Sequence, residues 1–312
     1  MKKLLELVLK MGGTGYQPVF GGNLPPKIAT SQRPVPSKGH FQSLPLGRRS
    51  VLRALTGALA GALTLSLSRK AKAAVQKMLV SSHTPKGYDP TKHKWLMAID
   101  VDRCIGCGLC VEACKTENAV PVGPNYFRTW IERYVITRPE PGSGEMRGET
   151  LVDSPNGGMH GFPPSLVPKE QILKSFYVPK LCNLCEHSPC SQVCPVGATF
   201  DTPDGAVLVD PKYCIGCGFC IQACPYGCRF MNPVTKTAEK CSLCYHRITR
   251  GLKPACVEVC PTEARVFGDL KNPVANDPIH RFIEKNKAAQ SLKPHLGTAP
   301  RVLYAELDKE VR

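Results

Sequence analysis

Apolar residues come in short runs along this chain, separated by polar stretches rich in glycine and proline. Trp95-Leu96-Met97-Ala98-Ile99, Ser175-Phe176-Tyr177-Val178 and Gly205-Ala206-Val207-Leu208-Val209 each have the composition of a buried strand. Each is followed within a few residues by a cysteine-rich loop, and the spacing then predicts short helices, among them Val111 to Thr116 and Ile221 to Cys224. Strand, cysteine loop and short helix thus repeat as a unit. Tyr126 to Tyr134 is β-branched and aromatic, hence another strand. Arg138 to Pro164 carries turn signals at Pro139, Pro141-Gly142 and Asn156-Gly157-Gly158, so it reads as a long loop. A loop of that length suggests an inserted partner-contacting segment, the alternative being a solvated loop. Further on, Ala264 to Phe267 is expected as a closing strand and Pro278 to Ala289 as a helix. Gly297 to Pro300 reads as a turn, and Arg301 to Ala305 as a last strand. The fold class is α+β. Nothing after residue 73 approaches the roughly 20 apolar residues of a membrane span.

The cysteines supply the chemistry. Sixteen of the 17 fall into four runs: Cys104, Cys107, Cys110, Cys114; Cys182, Cys185, Cys190, Cys194; Cys214, Cys217, Cys220, Cys224; and Cys241, Cys244, Cys256, Cys260. The first and third runs read C-x2-C-x2-C-x3-C, the spacing of cubane iron–sulfur ligands. Three close cysteines wrap one cluster, and the fourth reaches the other cluster of a pair. The second run widens one step and the fourth has a long spacer, but both keep the closing C-x3-C-P. Pro follows Cys194, Cys224 and Cys260, whereas Lys115 follows Cys114. Sixteen thiolates at four per cluster imply four [4Fe–4S] centres. Zinc would use pairs of C-x2-C, which the first and third runs are not. A disulfide framework has no reason to repeat C-x2-C-x2-C. Cys228 is left over and reads as a small buried thiol. Lys115, Lys180, Lys212, Arg229 and Lys240 lie near the ligands and are expected as solvated charge, with tuning of cluster potentials the alternative. His187 and His246, inside the runs, are expected at the surface or as donors to cluster sulfur.

The first 73 residues look like a leader. Arg48-Arg49 precedes an apolar stretch from Ala54 to Ser68, of signal-peptide length, and Ala71-Lys72-Ala73 forms an A-x-A cleavage site ahead of Ala74. The arginine pair points to twin-arginine export and the periplasmic side of the membrane. Translation from Met78 would instead give a cytoplasmic product. The leader also explains the charge. Residues 1–73 hold 12 of the 41 Lys/Arg and one of the 25 Asp/Glu, leaving 29 and 24 for the remainder. Four clusters at about −2 each with their thiolates bring that remainder from +5 to about −3. The formal charge of +16 is therefore no sign of nucleic-acid binding. With aromatics at 7%, the clusters are expected to serve as much of the core.

The motifs C-I-G-C-G-L-C-V-E-A-C, C-N-L-C-E-H-S-P-C-S-Q-V-C-P, C-I-G-C-G-F-C-I-Q-A-C-P-Y-G and K-C-S-L-C…P-A-C-V-E-V-C-P-T, with N-P-V-T-K-T-A-E-K-C and the tail L-K-P-H-L-G-T, carry a resemblance over about residues 95–305. The chain resembles the four-cluster ferredoxin subunit of bacterial respiratory complexes, the electron-transfer subunit of the DMSO reductase and polysulfide reductase class. That class has exported relatives in nitrite reductase, hydrogenase and sulfate-reduction complexes. The resemblance implies tandem ferredoxin-like two-cluster modules with an inserted loop or hairpin and a C-terminal extension. Residues 74–120 with 230–312 would form one module, 121–174 the insertion, and 175–229 the other module. It also implies crossed ligation. One cluster would take Cys104, Cys107, Cys110 and Cys260; its partner Cys241, Cys244, Cys256 and Cys114. The third would take Cys182, Cys185, Cys190 and Cys224; the fourth Cys214, Cys217, Cys220 and Cys194. The implied role is a non-catalytic relay between an integral-membrane quinone-reactive subunit and a catalytic oxidoreductase subunit of molybdopterin, cytochrome or hydrogenase type. A soluble periplasmic mobile carrier and a stand-alone oxidoreductase are the alternatives. No nucleotide-binding glycine motif and no catalytic acid–base set speaks for the last.

Overall fold

The computed structural model describes residues 74–312 except 141, 143, 145, 273–276 and 312. The leader read over residues 1–73 lies outside the described residues. Residues 74–83 are helical (α1), and Leu79 on this helix is fully buried in the main core.

Strand β1 (Trp95–Asp100) is the centre of a three-stranded sheet. It pairs antiparallel with β9 (Arg265–Asp269), Ala98 opposite Val266, and parallel with β10 (Val302–Ala305), Ala98 opposite Leu303. Both faces of β1 are covered, which is why it reads as an unbroken apolar run rather than an alternating one. Met97 and Ile99 face the main core; Leu96 and Ala98 face helix α7 (Pro278–Lys285) through Ile279 and Phe282. Asp277 caps α7 by accepting from the Ile279 N–H at 3.0 Å. The helix ends four residues earlier than the sequence suggests. Asn286 turns its side-chain amide onto the Phe282 carbonyl at 3.0 Å, competing with the backbone ladder there.

A second three-stranded sheet has β2 (Thr129–Thr137) between β3 (Thr150–Asp153) and β4 (Ile172–Leu181), all antiparallel. The expected loop over 138–164 is therefore partly structured. It supplies β3 and a 3-10 turn at Pro155–Gly158, and it packs on the chain itself. The strand leading to Cys182 is β4 of this sheet. Two short hairpins complete the chain, β5 (Thr199–Asp201) with β6 (Val207–Val209) and β7 (Phe230–Met231) with β8 (Ala238–Glu239).

The helices after the cysteine loops are short for a stated reason. Leu109–Glu117 (α2) runs for nine residues and contains Cys114. Pro189–Gln192 (α3), Phe219–Gln222 (α4) and Ala255–Glu258 (α6) run for four and stop before Cys194, Cys224 and Cys260. Each of those cysteines precedes a proline, and the residue before proline is disfavoured in the α region. The fourth cysteine of these three runs thus lies just past its helix, a correction to the expectation that the helix carries it. Tyr245–Ile248 (α5) fills the long spacer of the fourth run. No helix among the described residues is long and apolar enough to cross a membrane.

Candidate metal centres

All 17 cysteines are unpaired thiols, and ten of them, Cys228 included, are buried. One small cavity is lined by Cys104, Cys107, Cys110 and Cys260, together with Ile131 and Arg265. Another is lined by Cys114, Cys241, Cys244 and Cys256, together with Asn118 and Arg128. Each cavity therefore mixes three cysteines of one run with the last cysteine of another. Among the second and third runs, Cys182, Cys190 and Cys224 stand near enough to Cys185 for their charges to act on it. Cys190, Cys220 and Cys214 share a further small apolar cluster.

Burial pushes the Cys104 thiol up to about 11 and those of Cys185 and Cys256 up to about 12. Such thiols hold their protons at neutral pH unless a cation replaces them, so metal uptake and proton release are linked. Among the described residues no three Cys, His, Asp or Glu converge on one point as a single ion requires. The thiols line two small cavities, four to each, which suits a cubane presenting four irons at its corners. The donor set, thiolates alone in a dry pocket, fits that group as well.

Backbone amides point at several of these sulfurs. Leu243 N–H donates to Cys241 Sγ at 3.3 Å, Ala238 N–H to Cys214 Sγ at 3.4 Å and Thr199 N–H to Cys194 Sγ at 3.5 Å. Asn118 Nδ2 reaches Cys114 Sγ at 3.6 Å and Cys244 Sγ at 3.7 Å. Donors to sulfur stabilise the more reduced, more negative cluster. Loop glycines make the wrapping possible: Gly216 has φ +72°, and a Cβ there would lie 2.6 Å from the Lys236 carbonyl. Gly108, at φ +82°, is likewise pressed against the backbone of the insertion at Gly158 and His160.

Of the five basic residues expected as solvated charge, only Lys212 is exposed. Lys180 is buried against Glu132 at 3.5 Å. Lys115 donates to the carbonyls of Tyr126 at 2.8 Å and Pro121 at 3.1 Å and sits over the Phe127 ring, so it pins the chain leading into β2. Arg229 and Lys240 are buried, and Arg229 Nη2 donates to Cys190 Sγ at 2.8 Å. His187 is exposed, and His246 is an exposed partner of Glu117 at 2.6 Å. Cys228 is a buried thiol donating to the Leu181 carbonyl at 3.0 Å. Asn118 has no signal in the cysteine spacing and enters only through packing, whereas Arg265 shares with Arg229 a C-P-x3-R pattern that could have marked both.

The comparisons with known proteins agree with this chemistry. A 4Fe-4S dicluster domain model matches residues 173–270 and a 4Fe-4S binding domain model matches residues 95–116. A tetrathionate reductase subunit of Salmonella typhimurium is 41% identical over 218 residues, 70% of this chain and 74% of that protein. A tetrathionate reductase subunit of Archaeoglobus fulgidus is 42% identical, covering 69% of this chain and 83% of its own length. The chain belongs to the iron–sulfur electron-transfer subunits of the DMSO reductase and polysulfide reductase class. A putative dimethyl sulfoxide reductase iron-sulfur subunit of Halobacterium salinarum, 36% identical over 67% of this chain and 77% of its own, is a further member. As a subunit of this class, the chain carries four [4Fe–4S] clusters and works beside a catalytic partner.

Proposed function

We propose that this chain relays single electrons through four [4Fe–4S] clusters between a membrane quinone-reactive subunit and a catalytic oxidoreductase subunit, on the periplasmic side after twin-arginine export. When bound, each cluster accepts and returns one electron. The chain's part is to hold the clusters in order, keep water from them and set their potentials. We further assign the ligands in the crossed sets named above, in two tandem two-cluster modules. The observation that carries this reading is the pair of mixed cavities, Cys104, Cys107, Cys110 with Cys260 and Cys241, Cys244, Cys256 with Cys114. For the third set the support is the resemblance, with Cys182, Cys190 and Cys224 all near enough to Cys185 to act on its thiol. For the fourth it is the resemblance, with Cys214 and Cys220 packed in one small cluster beside Cys190 of the third set.

Exposed apolar side chains ride on two of the ligand loops, Ile105 and Leu109 on the first and Ile215 and Phe219 on the third. Loops that bring a cluster to the surface and surround it with apolar contact area suit docked partners better than a free carrier. Affinity purification of the tagged chain from solubilised membranes tests the proposal. Recovery of a multi-span membrane protein and a large catalytic subunit, with cluster reduction by a quinol analogue, is expected. Recovery only as a free monomer from the soluble periplasmic fraction would favour the mobile carrier.

A further inference from the structure

Three buried cations stand between the cysteine sets. Arg265 is 2% exposed, yet its Nε and Nη1 have no hydrogen-bond partner; only Nη2 is used, donating to Thr129 Oγ1 at 2.8 Å. It lines the cavity of Cys104, Cys107, Cys110 and Cys260. Its charge also acts on Cys256, which lines the neighbouring cavity. Unpaired donors of a buried cation are costly, so an acceptor is expected where they point. The sulfurs of an anionic cluster are acceptors of that kind.

Arg229 repeats the arrangement in the other half of the chain. It is 6% exposed, donates through Nη2 to Cys190 Sγ at 2.8 Å and through Nη1 to Thr199 Oγ1 at 3.3 Å, and its charge acts on Cys182 and Cys220. Cys190 and Cys182 belong to the third set and Cys220 to the fourth. Both arginines follow the same local pattern, C-P-x3-R from Cys224 and from Cys260, and both hold a threonine hydroxyl.

Lys240 occupies the remaining gap. It is 3% exposed, and its ammonium donates to the carbonyls of Val207 and, at 2.8 Å, Cys241. It adjoins Cys241 of the second set and acts on Cys190 of the third. Cys182 and Cys241 lie in the same buried core, and Lys240 bonds the carbonyl of Val207, which packs with Cys190, so these two sets are neighbours. The partners of the three cations are hydroxyls, carbonyls and sulfur rather than carboxylates, so their charge is left to act on the clusters.

We propose that Arg265, Lys240 and Arg229 are built-in counter-ions, one at each of the three junctions of the four-cluster chain, each raising the reduction potentials of the two clusters it separates. Taking up an electron adds negative charge to a cluster, and a fixed cation in a medium of low dielectric favours that state. A relay with several like-charged centres in close succession otherwise resists being reduced twice. The three are positioning residues acting through the clusters. The inference rests on the crossed grouping proposed above.

The test uses the full chain carrying Arg265→Gln, Lys240→Gln or Arg229→Gln, each read by iron content and by an EPR-monitored redox titration. Signals are assigned with serine variants of single ligands. The expected result is full iron content and at least a tenfold fall in the reduced-to-oxidised ratio of the two flanking clusters at fixed potential, about 59 mV for a one-electron couple. The other two clusters should move less. Arg265→Lys and Arg229→Lys should return most of the shift. Unchanged potentials at full iron content, or an equal shift of all four clusters, would overturn the proposal. If a glutamine variant of either arginine loses iron, the lysine variant decides. Retained iron with near-native potentials supports the charge, and loss of iron there too makes the residue a packing element. If Lys240→Gln loses iron, Lys240→Arg decides in the same way. The grouping has its own readout. If Cys260→Ser perturbs the same signal as Cys256→Ser, the crossed reading fails whatever the cations do.

Discussion

Cys260 is the residue at which a crossed and a sequential grouping part. In the crossed grouping Cys260→Ser and Cys107→Ser disturb one EPR signal, while Cys256→Ser and Cys114→Ser disturb another. In a sequential grouping Cys260→Ser and Cys256→Ser would act on the same one. The sixteen cysteines stand out as candidate ligands because ligand spacing is a local property: three thiols must reach three irons of one cube across a few residues of loop. The residues around them do not. Arg229 and Lys240 read as surface charge because nothing about either residue alone distinguishes a solvated cation from a buried one. Their burial follows from strands and loops brought together from distant parts of the chain. Asn118 is a similar case. Its amide lies near Cys244 Sγ only because residues 126 positions apart meet. Asn118→Leu keeps the volume and removes the donor. The potential of the cluster in that cavity should fall, with iron content unchanged. An unaltered titration curve would assign Asn118 to packing alone.

At the scale of elements, the contrast between Lys115 and the three prolines sets helix length. Helix α2 runs on to Glu117 because no proline follows Cys114, and Lys115 then ties the next segment down through two carbonyls. Lys115→Pro removes an interior helical hydrogen bond and clashes with the preceding turn, a cost of about 3 kcal/mol. Faster loss of cluster absorbance under an iron chelator is the expected outcome. A rate equal to that of the native chain would show that the extended helix has no part in holding the site. Strands β1, β4, β9 and β10 were readable from their apolar runs. Strand β3 was not, because Leu151 and Val152 are exposed and the segment shows no buried alternation against its glycine- and proline-rich surroundings. What makes it a strand is the edge of β2, which only the folded chain provides.

Across the whole described chain, the C-terminal segment fastens distant parts together. Residues 298 to 301 bond along the second ligand loop: Glu186 N–H to the Ala299 carbonyl at 2.9 Å, His187 N–H to that of Thr298 at 3.1 Å, and Arg301 N–H to that of Asn183 at 2.9 Å. Strand β10 then joins β1 ahead of the first loop, and Tyr304 donates to the Pro179 carbonyl at 3.1 Å. The tail thus ties the second ligand loop to the sheet that leads into the first. Deleting residues 297–312 should strip clusters from both loops, read as a fall in iron content well beyond one cluster's share. Full iron retention would make the tail a surface decoration. Ten cysteines are buried, so the apoprotein, with its thiols protonated and unbridged, is expected to lose stable structure around them. Circular dichroism of chelator-treated protein checks this, and a native-like spectrum would contradict it. The four-centre relay itself is tested most directly by joining iron quantitation to an EPR-monitored redox titration of the purified holoprotein. Four one-electron [4Fe–4S] couples with about 16 irons per chain are expected; two couples or fewer, with the iron to match, would contradict it.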